Sequence, residues 1–235
     1  MTESFEIRKE VTLPTTPDQV WEAIATEAGL AAWFMPMPVD PNSGMVVAWE
    51  PGRRLAVRTP VADDGATQAF EYLIEARDQG TTVLRFVHSG VLGADWAGEF
   101  EAMTSSGWDM YLATLSEYLT HFAGRPAQYI EAEGPPPSAR PECWPRLAEA
   151  LGLASAVTPG RAARVDLPDL GPIDGEVDYV GVGYVGIRTT EALIRFHGRA
   201  SIGMTVAVSH HAYAPVDAEA TTKAWARWLA SVFAE

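Results

Sequence analysis

Leu84-Arg85-Phe86-Val87-His88 carries Leu84, Phe86 and His88 on one face of an alternating run, and about 120 residues later Val206-Ala207-Val208-Ser209-His210 carries Val206, Val208 and His210 in the same way. Each run leads to a helical stripe that opens on tryptophan. The first is Trp108, Leu112, Leu115, Leu119 and Phe122, and the second is Trp225, Leu229 and Val232. Spacings of three and four residues keep such side chains on one helix face, whereas period two marks a strand. Upstream, Val20-Trp21-Glu22-Ala23-Ile24 leading to Gly29-Leu30-Ala31-Ala32-Trp33 has a weaker echo in Trp144 to Leu147 leading to Gly152-Leu153-Ala154-Ser155-Ala156. The chain reads as two tandem copies of one α+β pattern, the second degenerate.

Bulk properties agree with two cores. A chain of 235 residues with 47% apolar content can bury one large or two ordinary interiors. Met1 to Glu10 alternates charged and apolar residues, without the basic start and continuous apolar core of a signal peptide. No stretch approaches the ~20 apolar residues of a membrane span, so a cytoplasmic protein is expected. Cys143 is the only cysteine and sits among prolines, which leaves neither a disulfide framework nor a thiolate metal site. A formal net charge of -14 repels phosphate backbones, and no basic stripe offsets it, so nucleic acid is not an expected partner.

Along the chain, Phe5 to Val11 alternates as a strand with Phe5, Ile7, Lys9 and Val11 on one face. Thr16-Pro17-Asp18 starts a helix running to about Thr26: a hydroxyl cap, a proline in the first turn and an acid suited to the helix dipole. A second short helix is expected over Leu30 to Phe34. Four strands follow near Met45–Trp49, Arg54–Thr59, Gln68–Ala76 and Thr81–Ser89, with turns at Pro51-Gly52, Asp63-Asp64-Gly65 and Gln79-Gly80. A long helix is expected to begin near Gly107-Trp108. Gly134-Pro135-Pro136-Pro137 cannot continue a helix or a central strand and marks a link between copies. The second copy then reads helix, several strands from about Ala163 to His211, and a terminal helix.

This order of a strand, two short helices, an antiparallel meander and a long helix resembles the START-like, or SRPBCC, helix-grip superfamily. Within it, Pro17-Asp18-Gln19-Val20-Trp21-Glu22-Ala23-Ile24, the Trp33-Phe34 step and the Gly107-Trp108 helix start are similar to bacterial relatives of the heat-shock chaperone ATPase activator. The match covers residues 1 to about 123. The resemblance implies an α+β fold of two tandem helix-grip domains, each an antiparallel curved sheet around a long C-terminal helix. Residues 1–125 form the first domain, 126–141 a proline-rich linker that could include the first strand of copy two, and 142–235 the degenerate second domain. Copy two departs from the pattern: its first strand would be Gln128–Glu131, and Pro145 interrupts its first helix.

The resemblance also implies a cavity between sheet and helix. Alternation puts Trp49, Val57, Phe70, Tyr72, Phe86 and His88 on one face, opposite Met103, Met110, Tyr111 and Thr114 on the helix flank. Trp33-Phe34-Met35-Pro36-Met37 could cover its mouth, methionine adapting to irregular shapes. The same side chains could instead fill a solid core. His88 could orient a ligand or move a proton, or could be a satisfied strand-end histidine.

Other chemistry is thinly represented. His210 and His211 point to opposite faces, and His197 lies on a separate run, so no metal site is nominated. Gly181-Val182-Gly183-Tyr184-Val185-Gly186 satisfies a dinucleotide-binding pattern, yet Val206, Ala207 and Val208 stand where its acidic partner should be; glycines at a strand bend are the simpler reading. Ser105-Ser106 reads as a helix cap. Asp95 and Glu99 read as acids placed before a helix, and Glu71 and Glu75 as a solvent-facing pair. No catalytic or cofactor-binding residue is nominated.

Three functions fit. The first is a non-catalytic binding protein for a small hydrophobic or aromatic molecule. The second is a polyketide cyclase or aromatase-like enzyme using His88 and Tyr72. The third is an interaction module acting on a chaperone ATPase, with a homodimer or protein partner.

Overall fold

The computed structural model describes residues 3–77, 80–92, 100–153 and 157–234. Of the residues singled out from the sequence, Gln79, Asp95, Glu99 and Ala154-Ser155-Ala156 lie outside them. The chain divides into two compact units, Met1–Gly124 and Arg125–Glu235.

In the first unit the elements run β1 (Glu3–Leu13), α1 (Pro17–Ala25), α2 (Glu27–Ala31), β2 (Val46–Glu50), β3 (Arg54–Arg58), β4 (Thr67–Ala76), β5 (Thr82–Leu92) and α3 (Phe100–His121). The second runs β6 (Gln128–Glu133), α4 (Cys143–Ala150), β7 (Ala162–Leu167), β8 (Gly171–Gly181), β9 (Tyr184–Arg188), β10 (Ala192–His197), β11 (Ala207–Ala212) and α5 (Ala218–Val232). The sheet orders are β1-β5-β4-β3-β2 and β6-β11-β10-β9-β8-β7, and every pairing is antiparallel. In both units the first strand pairs with the last strand of the meander, and a helix follows. The second sheet has one further strand, β7. Each unit is a helix-grip fold, and the tandem repeat is real in three dimensions.

Local chemistry explains the first helices. Thr16 and Gln19 form a reciprocal capping box, and Pro17 occupies the first turn, where its missing N–H costs nothing. The second helix differs from the expected Leu30 to Phe34. Thr26 accepts from Gly29 N at 2.9 Å and so starts it at Glu27, before the apolar residues that signalled it.

The long helix also begins earlier than Gly107. It starts at Phe100, whose ring meets Phe5 edge-on at 5.3 Å. That contact spans most of the unit's sequence and is invisible to local periodicity. Ser105 and Ser106 therefore lie inside α3 and do not cap it.

Pro145 does not interrupt a helix either. It is the third residue of α4, within the first turn, where no hydrogen bond to a preceding turn is lost. The proline-rich run forms a 3-10 turn at Pro136–Ala139, and Ser138 Oγ accepts from Val206 N at 3.1 Å. Cys143 is buried in the second core with Leu147, Val165, Ile187, Phe196 and Trp225. Its thiol donates to Pro137 O at 3.0 Å. Among the described residues, no helix is long and apolar enough to cross a membrane.

Candidate functional site

Strand register assembles the first unit's inner face in rows. Trp49 pairs with Leu55, Leu55 with Tyr72 and Tyr72 with Phe86. In the next row Val57 pairs with Phe70, Phe70 with His88 and His88 with Ile7. The six strand residues singled out from alternation therefore share one face. Glu71, Glu75 and Arg85 lie on the other: Arg54 Nη2 pairs with Glu71 at 2.7 Å, and Arg85 bridges Glu10 and Glu75.

α3 lays Trp108 at the centre of this face. Its ring centroid is 4.1 Å from Phe86, 5.6 Å from the stacked Phe34, 5.9 Å from Tyr111 and 6.0 Å from Phe70. Phe34 meets Tyr111 edge-on at 4.5 Å. Trp108 was legible as the opening of a helical stripe and in the Gly107-Trp108 step, but not as the partner of His88. The signal that could have promoted it is the repeat itself, since both copies place a helix tryptophan after a strand histidine.

The candidate lining residues divide by burial. Trp33, Tyr72, Phe86, His88, Met110 and Thr114 are buried, and Trp33 is pinned by its indole N–H donating to Ala23 O at 2.9 Å. The Thr114 hydroxyl turns back to Met110 O at 2.8 Å. Phe34, Trp49, Val57, Phe70, Met103 and Tyr111 are half-buried, and Met35 and Met37 are exposed. Burial pushes the Tyr72 phenol well above its ordinary range, so it stays neutral.

His88 has both ring nitrogens engaged. Trp108 Nε1–H donates to His88 Nδ1 at 3.0 Å, and His88 Nε2 lies 2.5 Å from Gln68 Oε1. Indole is a donor only, so Nδ1 must accept and Nε2 must carry the proton. Burial lowers the His88 pKa to about 4. Taking up a second proton would require the Trp108 bond to break, which opposes a proton-transfer role.

The second unit repeats this pair. Trp225 Nε1 donates to His210 Nδ1 at 3.1 Å, and burial lowers His210 to about 4 as well. The shared histidine of the two sequence runs is thus a strand-to-helix tie. His211 instead packs against Tyr129, with centroids 5.2 Å apart. His197 Nε2 lies 3.0 Å from Ser209 Oγ.

The glycine pattern at 181–186 is a hairpin. Gly181 pairs with Tyr184, leaving Val182-Gly183 as a two-residue turn with Gly183 at φ 75°. Gly186 has another role: a Cβ there would collide with Asp178 Oδ1 and Arg195 Nη1. Gly186→Ala is therefore expected to lower stability by about 1–3 kcal/mol, measurable as a fall in the urea midpoint.

No known family profile and no curated protein matches the chain. Solved structures do. The di-domain ARO/CYC BexL of the BE-7585A biosynthetic pathway is 12% identical, with a TM-score of 0.41 over 98% of this chain and 99% of that one. DynU16, a putative protein of the dynemicin biosynthetic locus, is 19% identical with a TM-score of 0.41, over 97% and 95%. The Aha1 dimer from Colwellia psychrerythraea is 18% identical with a TM-score of 0.39, over 49% of this chain and 96% of that one. Likeness at this level concerns fold alone. The topology seen here, an antiparallel sheet whose first strand pairs with its last and is followed by a helix, is present twice.

Proposed function

We propose that the first unit binds a small hydrophobic or aromatic molecule between its sheet and α3 and holds it without chemical change. One observation carries this reading. Phe70 and Val57 belong to interior strands and face the helix, yet both are half-buried, as are Phe34 and Tyr111 beside them. The positions in the second unit that correspond to Phe70, Val57 and Tyr111 are Ile194, Ile187 and Trp228, and all three are buried. Large apolar surface left partly wet on an inward face favours an apolar ligand, because covering it releases water. The neutral Tyr72 and the engaged His88 suit retention more than turnover.

The test is thermal stability and native mass spectrometry against fatty acids, aromatic polyketides and flavonoid-like compounds. A ligand at one hundred times its Kd stabilises by about 2.7 kcal/mol, a rise of several degrees in Tm for a unit of this size. Val57→Trp should fill the space and abolish that rise. No co-purifying ligand and no shift across the panel would sink the proposal.

A further inference from the structure

We infer that Gln68 is the specificity-determining residue of this site and that the ligand it selects carries a hydrogen-bond acceptor, a carbonyl or quinone-type oxygen, on its flat apolar body. The inference rests on the binding reading above and adds polarity to it.

The chain of donors fixes the outcome without appeal to how the amide was drawn. Trp108 Nε1–H can only donate, so His88 Nδ1 accepts and Nε2–H donates onward. Gln68 Oε1 receives that proton at 2.5 Å. The carboxamide is planar, so its NH2 group lies beside the Oε1 already committed to His88 and has only donors to offer.

Position supports the role. Gln68 stands two residues before Phe70 on β4 and shares its face, and it is half-buried. Phe70 stacks on His88 with centroids 4.4 Å apart. The donor thus borders the half-buried aromatic surface, where a hydrogen bond is partly shielded from water.

The second unit provides an internal comparison. Phe70 pairs with His88 as Ile194 pairs with His210, so the position corresponding to Gln68 is Ala192. The tryptophan–histidine tie occurs twice, but the amide that extends it occurs only in the unit whose inner face is left partly open. A tie needed for folding alone would not require the glutamine.

Two fluorophores test this: 6-propionyl-2-(dimethylamino)naphthalene, which has a ketone, and 2-(dimethylamino)naphthalene, which lacks it. The 235-residue chain should prefer the ketone by about tenfold, the value of one shielded hydrogen bond. The infrared carbonyl stretch of the bound ketone should also shift to lower wavenumber. Gln68→Glu still accepts from His88 but offers no donor. It should reduce the preference to about one and return the carbonyl stretch to its unbonded position. Gln68→Met, which removes both functions, should lose the preference equally. Equal binding of the two probes to the unaltered protein, or an unchanged preference in Gln68→Glu, would overturn the inference and leave the binding site standing. Failure of both probes to bind would overturn the site and the inference together.

Discussion

Asp178→Ala is expected to destabilise the second unit by about 3–5 kcal/mol, the usual result of stripping one partner from a buried ion pair. Arg195 and Asp178 side chains are only 1% and 2% exposed, and they form a two-pronged contact at 2.8 and 3.0 Å. Arg195 Nη1 also donates to Ile194 O at 3.0 Å. The pair depends on backbone features on either side. A register shift between Val177 and Tyr179 places Asp178 at an irregularity of β8, and Gly186 leaves room above β9. Removing the carboxylate takes the two-pronged partner from a buried guanidinium that cannot lose its charge. Replacing both members, as Asp178→Leu with Arg195→Met, should recover most of the loss, since an apolar pair carries no desolvation cost. Urea denaturation of the three proteins decides it. A loss below about 1 kcal/mol in Asp178→Ala would show that the pair is not held dry as the structure has it.

Acid should destabilise the protein well before its carboxylates are fully protonated. Burial lowers His88 and His210 to about 4, and burial with the charges of Arg199 and Arg195 lowers His197 to about 3. His88 meets Trp108, Gln68, Phe5 and Phe70; His210 meets Trp225; His197 meets Ser209 and Tyr184. Each depressed pKa means that the unfolded chain binds protons first. Their contribution is therefore complete above pH 6.5 and is lost as pH falls from 6.5 toward 4, or toward 3 for His197. For His210 the full loss is about 3 kcal/mol, a large share of an ordinary domain's stability. His210→Gln should lower stability at pH 7 and flatten the slope between pH 6.5 and 4. An unchanged slope in that variant would mean that His210 is not held neutral.

Much of this molecule could be read locally. Thr16 with Pro17 and Asp18 announced α1, and alternation at residues 68–76 and 81–89 placed Phe70, Tyr72, Phe86 and His88 on one face. The His88 and His210 runs disclosed the repeat. These signals are legible because capping and strand alternation are set by neighbours a few residues away.

What failed did so for nonlocal reasons. Gly107 looked like a helix start, but the packing of Phe100 on Phe5 carries α3 back two turns. Pro145 looked disruptive until the start of α4 placed it in the first turn. The twelve candidate lining residues could not be separated by type, since Trp33 and Trp49 look alike in a sequence, yet one is pinned to a helix carbonyl and the other is half-buried.

By itself, then, the sequence determined two α+β copies, the shared face of Phe70, Tyr72, Phe86 and His88, and an acidic, single-cysteine composition. Those properties follow from periodicity and composition. Only the tertiary structure decided that both nitrogens of His88 are committed, that Asp178 reaches Arg195, and that the inner face is closed in one copy and partly open in the other. Each of those depends on side chains brought together across strand register and sheet-to-helix packing, where separation along the chain carries no information about distance in space.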